Sequence, residues 1–143
     1  MQKLTVDHAE VVFSLQEPGL VSSWSLDNIK NTLKNPYNFS QGLLRDGALV
    51  SFCLSTIVLD ELNILHFVTH KDHRRCGLGK FLLSELIKQA KDEGAISSFL
   101  EVRKSNLPAF RLYQSLGFSE IAIRSDYYSN PPEDAVVMKL VML

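Results

Sequence analysis

Residues 62–93, LNILHFVTHKDHRRCGLGKFLLSELIKQAKDE, contain the change of period that decides the fold. The stretch 62–69 is a short apolar run and predicts a strand. From Gly77 to Glu93 the apolar residues Leu78, Phe81, Leu82, Leu86 and Ala90 return at steps of three and four, while Lys80, Ser84, Lys88 and Lys91 fall mostly on another face. That spacing predicts an amphipathic helix, which Gly94 stops. The junction is Arg74-Arg75-Cys76-Gly77-Leu78-Gly79-Lys80. Its two glycines let a ligand approach the backbone closely, and the free amides and dipole of a first helical turn favour an anion. Arg74, Arg75 and Lys80 add positive charge, so the loop suits a pyrophosphate. It is no Walker loop, since no Gly-Lys-Ser/Thr follows, and its glycine spacing is not that of a dinucleotide fingerprint.

Outward from this unit, Leu4 and Val6 alternate with polar neighbours and predict a short first strand. Residues 8–16 read as a helix, with Glu17-Pro18-Gly19 as its breaker. Ser25 is a good N-cap for a helix over 26–34, ended by Asn35-Pro36. Strands are predicted over 38–44 and 48–58 around the hairpin signal Asp46-Gly47, with a second turn near Asp60-Glu61. Past the long helix, 97–103 (SSFLEVR) reads as a buried strand. Pro108 belongs in the first turn of a helix capped by Ser105 or Asn106 and ended by Gly117. Strands over 118–128 and 135–141 flank a Pro131-Pro132 loop. The sum is an α+β chain: a mixed, mostly antiparallel sheet flanked by about four helices, expected as one domain over residues 1–143.

The 143 residues are 45% hydrophobic and 22% charged, with mean hydropathy +0.02, which supports a packed core rather than disorder. A net charge of −1 argues against nucleic acid as a direct partner. No apolar run reaches membrane-spanning length and no leader pattern opens the chain, so no membrane is expected and the cytoplasm is the expected location. Cys53 and Cys76 form no disulfide framework. His66, His70 and His73 cluster in sequence but lack zinc-site spacing beside cysteines, so no metal is expected. Cys76 is either the more reactive of the two thiols, lining the phosphate loop with a lowered pKa, or contributes only its backbone amide while its thiol points away inertly.

The glycine loop, an Arg/Gln-x-x-Gly-x-Gly pattern at a strand-to-helix junction, resembles the acetyl-CoA motif of the GNAT acetyltransferases. The likeness extends through Leu100-Glu101-Val102-Arg103-Lys104-Ser105-Asn106 and Leu112-Tyr113-Gln114-Ser115-Leu116-Gly117-Phe118. It continues in Ile123-Arg124-Ser125-Asp126-Tyr127-Tyr128 and in Glu133-Asp134-Ala135, and Trp24-Ser25 matches a Pro-Trp-Ser element. These segments resemble the RimI family of ribosomal-protein-alanine N-acetyltransferases, most densely over residues 64–140. The loop Ser129-Asn130-Pro131-Pro132 departs from the glycine-containing form of that family.

The resemblance implies the GNAT acyl-CoA N-acyltransferase fold, acetyl-CoA as co-substrate and the N-terminal alanine of a ribosomal protein as acceptor. A carboxylate within the apolar run Phe99-Leu100-Glu101-Val102 needs a partner or water; it is either a strand Glu paired with Arg103 or a lysine, or a general base. The resemblance implies the base. Tyr113 is either a core aromatic beside Phe110 and Leu116 or a proton donor to the leaving CoA sulfur, and the resemblance implies the donor. Asn106, two helical turns from Tyr113, shares its face and is expected to cap its helix and meet the CoA arm. The resemblance further implies that main-chain groups of Phe67, Val68 and Thr69 pair with the acyl-pantetheine arm between splayed strands 62–69 and 97–103. Arg74 to Lys80, with Cys76, Gly77, Leu78 and Gly79 between, would hold the pyrophosphate. Trp24, Tyr127 and Tyr128 are amphipathic aromatics suited to the peptide entrance. Two other readings stand beside this one: acetylation of other N-termini or lysines, and a non-catalytic acyl-CoA-binding module, against which the presence of both Glu101 and Tyr113 argues.

Overall fold

The computed structural model describes residues 1–16, 23–74, 76–129 and 131–142. The elements run β1 (Gln2–Lys3), α1 (Ala9–Leu15), α2 (Leu26–Lys34), β2 (Gln41–Arg45), β3 (Ala48–Val58), β4 (Glu61–Thr69), α3 (Leu78–Asp92), β5 (Ser97–Arg103), α4 (Leu107–Ser115), β6 (Ser119–Ser129) and β7 (Pro132–Val141). Among the described residues the strands form one sheet in the order β1-β2-β3-β4-β5-β7-β6. Every pairing is antiparallel except β4 with β5, which α3 joins as a crossover.

Local signals produce most of these boundaries. Asp46 and Gly47 both take positive φ, 52° and 81°, and close the β2–β3 hairpin as a two-residue turn. The Ser25 hydroxyl accepts from the Asn28 N–H at 3.1 Å and starts α2. Asn106 caps α4, accepting from the Ala109 N–H at 3.3 Å. Gly94 and Gly117 end α3 and α4 with φ of 99° and 103°.

Tertiary pairing moves three boundaries. The first strand is Gln2–Lys3, not residues 4–6, because Leu4 donates to Ser40 and is buried, while Val6–His8 form a 3-10 turn. The strand expected from residue 38 begins at Gln41; Asn38 instead bridges Thr56 and donates its side-chain amide to the Leu4 carbonyl. The final strand starts at Pro132, where a missing N–H is tolerated in a first strand residue. The breaker expected at Glu17-Pro18-Gly19 lies outside the described residues.

Two apolar clusters sandwich the sheet. On one face Leu82, Leu83, Leu86 and Ala90 of α3 and Tyr113 of α4 pack on Leu62, Ile64, Leu100 and Val102. On the other, Val12 and Leu15 of α1 and Ile29 and Leu33 of α2 pack on Phe52, Leu54 and Val68. No helix among the described residues is long and apolar enough to cross a membrane.

Candidate active site

A bulge in β4 opens the site. Leu54 pairs with His66 but Ser55 pairs with Ile64, so Leu65 has no opposite number. One extra residue inverts the alternation of side chains beyond it. Leu62 and Ile64 therefore face α3, whereas His66 and Val68 turn to the α1–α2 face and Phe67 returns to the α3 side. The parallel ladder with β5 also stops short, at Asn63 opposite Phe99. Beyond it the strands part around a cleft of about 800 Å³. Phe67, Val68 and Thr69 line it from β4, with no strand among the described residues paired to them on that edge.

At one end of the cleft lies the glycine loop. Gly77 takes a φ of 78°, which favours glycine, and Phe81 N–H makes the first helical bond to its carbonyl at 3.0 Å. The N–H groups of Leu78, Gly79 and Lys80 precede that bond and stay available to an anion. Gly79 is needed for a different reason: a Cβ there would stand 2.7 Å from the Phe67 ring and 3.0 Å from Thr69 Oγ1. Gly77, Leu78, Gly79, Lys80, Arg74 and Asn106 all line the cleft, and Arg74 Nε donates to the Thr69 carbonyl at 3.1 Å. Arg75 lies outside the described residues.

Cys76 is exposed and its thiol turns back to donate to the His73 carbonyl at 2.8 Å, away from the cleft lining. Of the two expected orientations the structure has the one that points away. Cys53 is buried, so a bulky thiol reagent is expected to modify Cys76 alone. Modification is expected to proceed as fast with acetyl-CoA bound as without, read by mass spectrometry, and Cys76→Ser is expected to keep full activity.

Tyr113 is buried against Phe118, edge to face at 6.0 Å, and lines the cleft. Burial, aided by neighbouring Cys53 and Tyr128, pushes its hydroxyl well above the ordinary phenol range, so the hydroxyl keeps its proton at neutral pH.

Glu101 alternates with Leu100 and Val102, which are buried toward α3 and α4, and so projects from the opposite sheet face. It is one-third exposed. Its Oε2 accepts from the Tyr127 hydroxyl at 3.4 Å, and its Oε1 lies 3.9 Å from Arg124 Nε. A second recess of about 190 Å³, lined by Thr56, Asn63 and Leu65, also reaches it. The alternative pairing of Glu101 with Arg103 is not present. Arg103 instead donates to Glu133 at 3.3 Å and to the Pro131 carbonyl at 3.1 Å, and covers the Tyr128 ring at 4.1 Å. The Ser105 hydroxyl and backbone N–H, together with Arg103, hold the Glu133 carboxyl below the ordinary carboxylate range against its desolvation.

The aromatics reach the site by an irregular strand. Arg124 pairs with Ala135 and Tyr128 with Glu133, so β6 carries extra residues between them, with Asp126 at φ 52° and its N–H held by Asp134 at 2.9 Å. Tyr127 and Tyr128 consequently meet at right angles, 5.1 Å apart. Tyr128 and Trp24 line the cleft; Tyr127 does not, and reaches the site through Glu101. Burial first, then Glu101, raises both phenols, Tyr128 to about 12.

His66 and Gln16 were not foreseen. His66 lines the cleft, stacks on Trp24 at 5.0 Å and 4°, and bonds Gln16 through Nε2 at 2.8 Å. The sequence signal, a histidine in an apolar strand, pointed only to its sequence neighbours His70 and His73, which instead sit at the 3-10 turn after β4 and pack on each other at 5.8 Å. No group of three metal-binding side chains gathers among the described residues. Burial pulls the His66 pKa from 6.5 to about 4. The unfolded chain thus binds this proton first as pH falls, so the stability is full above pH 6.5 and declines toward pH 4, by about 3 kcal/mol at most. Denaturant titrations at pH 7 and 4.5 are expected to show this difference in the wild type and a smaller one in His66→Phe.

A model of the acetyltransferase (GNAT) family matches residues 9–118. The [ribosomal protein bS18]-alanine N-acetyltransferase of Haemophilus influenzae is 34% identical over 132 residues, covering 90% of this chain and 89% of that protein. The Escherichia coli protein of the same name is 40% identical over 100 residues, 68% of each chain. The crystal structure of the ribosomal-protein-S18-alanine N-acetyltransferase from Escherichia coli superposes with a TM-score of 0.92 at 30% identity, covering 99% of this chain and 93% of that one.

Proposed function

This chain belongs to the acetyltransferase (GNAT) family, and from that membership we propose that it transfers acetyl from acetyl-CoA to the N-terminal alanine of ribosomal protein bS18. A ribosomal acceptor puts the work in the cytoplasm. The observation that carries the reading is the opening between β4 and β5, with a glycine-capped helix start on one sheet face and a partly open carboxylate on the other.

The amides of Leu78, Gly79 and Lys80, with Lys80 and Arg74, hold the pyrophosphate of acetyl-CoA. Its pantetheine amides pair with the free edge of β4 at Phe67, Val68 and Thr69, as an added strand would. Asn106 meets the same arm while its Oδ1 caps α4. The peptide enters from the Glu101 side, bordered by Trp24, Tyr127 and Tyr128.

An α-amine of pKa ≈ 7.7–8.0 arrives mostly protonated at neutral pH. Glu101 takes one proton and passes it to water in the adjoining recess. The amine nitrogen then attacks the thioester carbon and the C–S bond breaks. Tyr113 donates a hydrogen bond that strengthens as charge gathers on sulfur, and its proton follows. Of the three ammonium protons, one leaves through Glu101, one stays on the new amide, and the third replaces the proton Tyr113 gives to the thiol.

Tyr113→Phe removes only the hydroxyl from a packed ring and is expected to lower kcat by about 10²-fold with an unchanged melting temperature. Steady-state CoA release and a thermal melt check both halves. The reading as a whole is tested by intact mass and fragment spectra of bS18 incubated with enzyme and acetyl-CoA. One acetyl group on the alanine amine is expected; acetylation confined to lysines, or none, overturns it.

A further inference from the structure

Gln16 has its side-chain amide fixed by groups that play only one hydrogen-bonding role. Its Oε1 accepts from the Trp24 backbone N–H at 2.7 Å, and its Nε2 donates to the Trp24 carbonyl at 3.0 Å. The amide cannot be reversed without setting donor against donor and acceptor against acceptor. Oε1 is therefore the atom that faces His66 Nε2 at 2.8 Å, and Nε2 must carry the hydrogen. In the neutral imidazole this leaves Nδ1 as a bare acceptor. No protein group among the described residues bonds it, although His66 is only 7% exposed and lines the cleft.

The side of the sheet then selects the ligand. Phe67 and Thr69 flank the glycine loop on the α3 face. The bulge sends His66 to the other face, beside Phe52 and under Trp24, and strand alternation sends Glu101 to that same face. The group that must come to Glu101 to be deprotonated is the substrate amine, and both it and the first peptide unit carry N–H donors. We propose that His66 is a specificity-determining residue whose Nδ1 accepts a hydrogen bond from an N–H at the amino terminus of the peptide substrate. The proposal rests on the assignment of the Glu101 side of the cleft to the peptide. Gln16 is the positioning residue that fixes the tautomer, and Trp24 holds the imidazole plane.

The test is ¹⁵N NMR of the full chain labelled at histidine, together with kinetics on an alanine-starting peptide. The free protein is expected to show His66 as the neutral Nε2–H tautomer at pH 7. Addition of the peptide with CoA is expected to move the Nδ1 resonance upfield, and CoA alone is expected to leave it in place. His66→Phe keeps the ring under Trp24 and is expected to raise the peptide KM about 3- to 10-fold with unchanged acetyl-CoA affinity. His66→Asn, whose Oδ1 lies where Nδ1 does, is expected to recover most of that loss. An Nδ1–H tautomer in the free protein, an Nδ1 resonance indifferent to peptide, or a His66→Phe KM equal to wild type overturns the proposal while leaving the activity standing. Failure of the wild type to acetylate the peptide overturns the activity and this proposal with it.

Discussion

Glu101→Gln is expected to bind acetyl-CoA as the wild type does and to lose about 10²–10⁴-fold in kcat at neutral pH. Glutamine keeps the volume and an oxygen to accept from Tyr127, so the irregular segment of β6 that leans on this side chain stays in place. What disappears is the capacity to take a proton. The defect therefore shrinks as pH rises past the pKa of the substrate amine, because the free amine no longer needs a base. Calorimetry with acetyl-CoA and a pH–rate profile separate the two halves. A variant with wild-type rate and an unaltered profile would remove Glu101 from the chemistry and leave it as the partner of Arg124 and Tyr127.

Gly79→Val is expected to fold and to weaken acetyl-CoA binding by about 10- to 100-fold, the range that overpacking of 1–3 kcal/mol produces. The added Cβ would meet the Phe67 ring at 2.7 Å and Thr69 Oγ1 at 3.0 Å. Both side chains rise from the open edge of β4 and line the cleft, so relief of the clash moves the Phe67 ring and the Thr69 hydroxyl, or the first turn of α3, where acetyl-CoA should bind. Gly77→Val is expected to lose affinity by a separate route. Space around Gly77 is open, but its φ of 78° is one that a β-branched residue resists. Acetyl-CoA titration of each folded variant is the measurement, and wild-type affinity in Gly79→Val would place the pyrophosphate elsewhere.

The outline of the fold was legible because its signals are short-range. Asp46-Gly47, the Ser25 cap, Asn106 before Pro108, and Gly94 and Gly117 act within four residues along the chain, and each does in the structure what its local chemistry requires. The step from a strand to a glycine-capped helix over 62–93 is likewise local, and it brought the phosphate loop and α3 with it. The pattern of the chain could not place the bulge at Leu65, because register depends on which residue of β3 sits opposite, and a shift of one inverts every later side chain. That shift turns His66 away from the face of Leu62 and Ile64 and delivers it to Gln16, 50 residues distant. Glu101 was visible as an acidic residue in an apolar strand, but its partners were not. Arg103 is drawn off by Glu133 across 30 residues, and the extra residues of β6 bring Arg124 and Tyr127 to the carboxylate instead. Hydrogen bonds over such separations leave no periodic trace, since either partner alone looks like an ordinary polar residue until the sheet has paired.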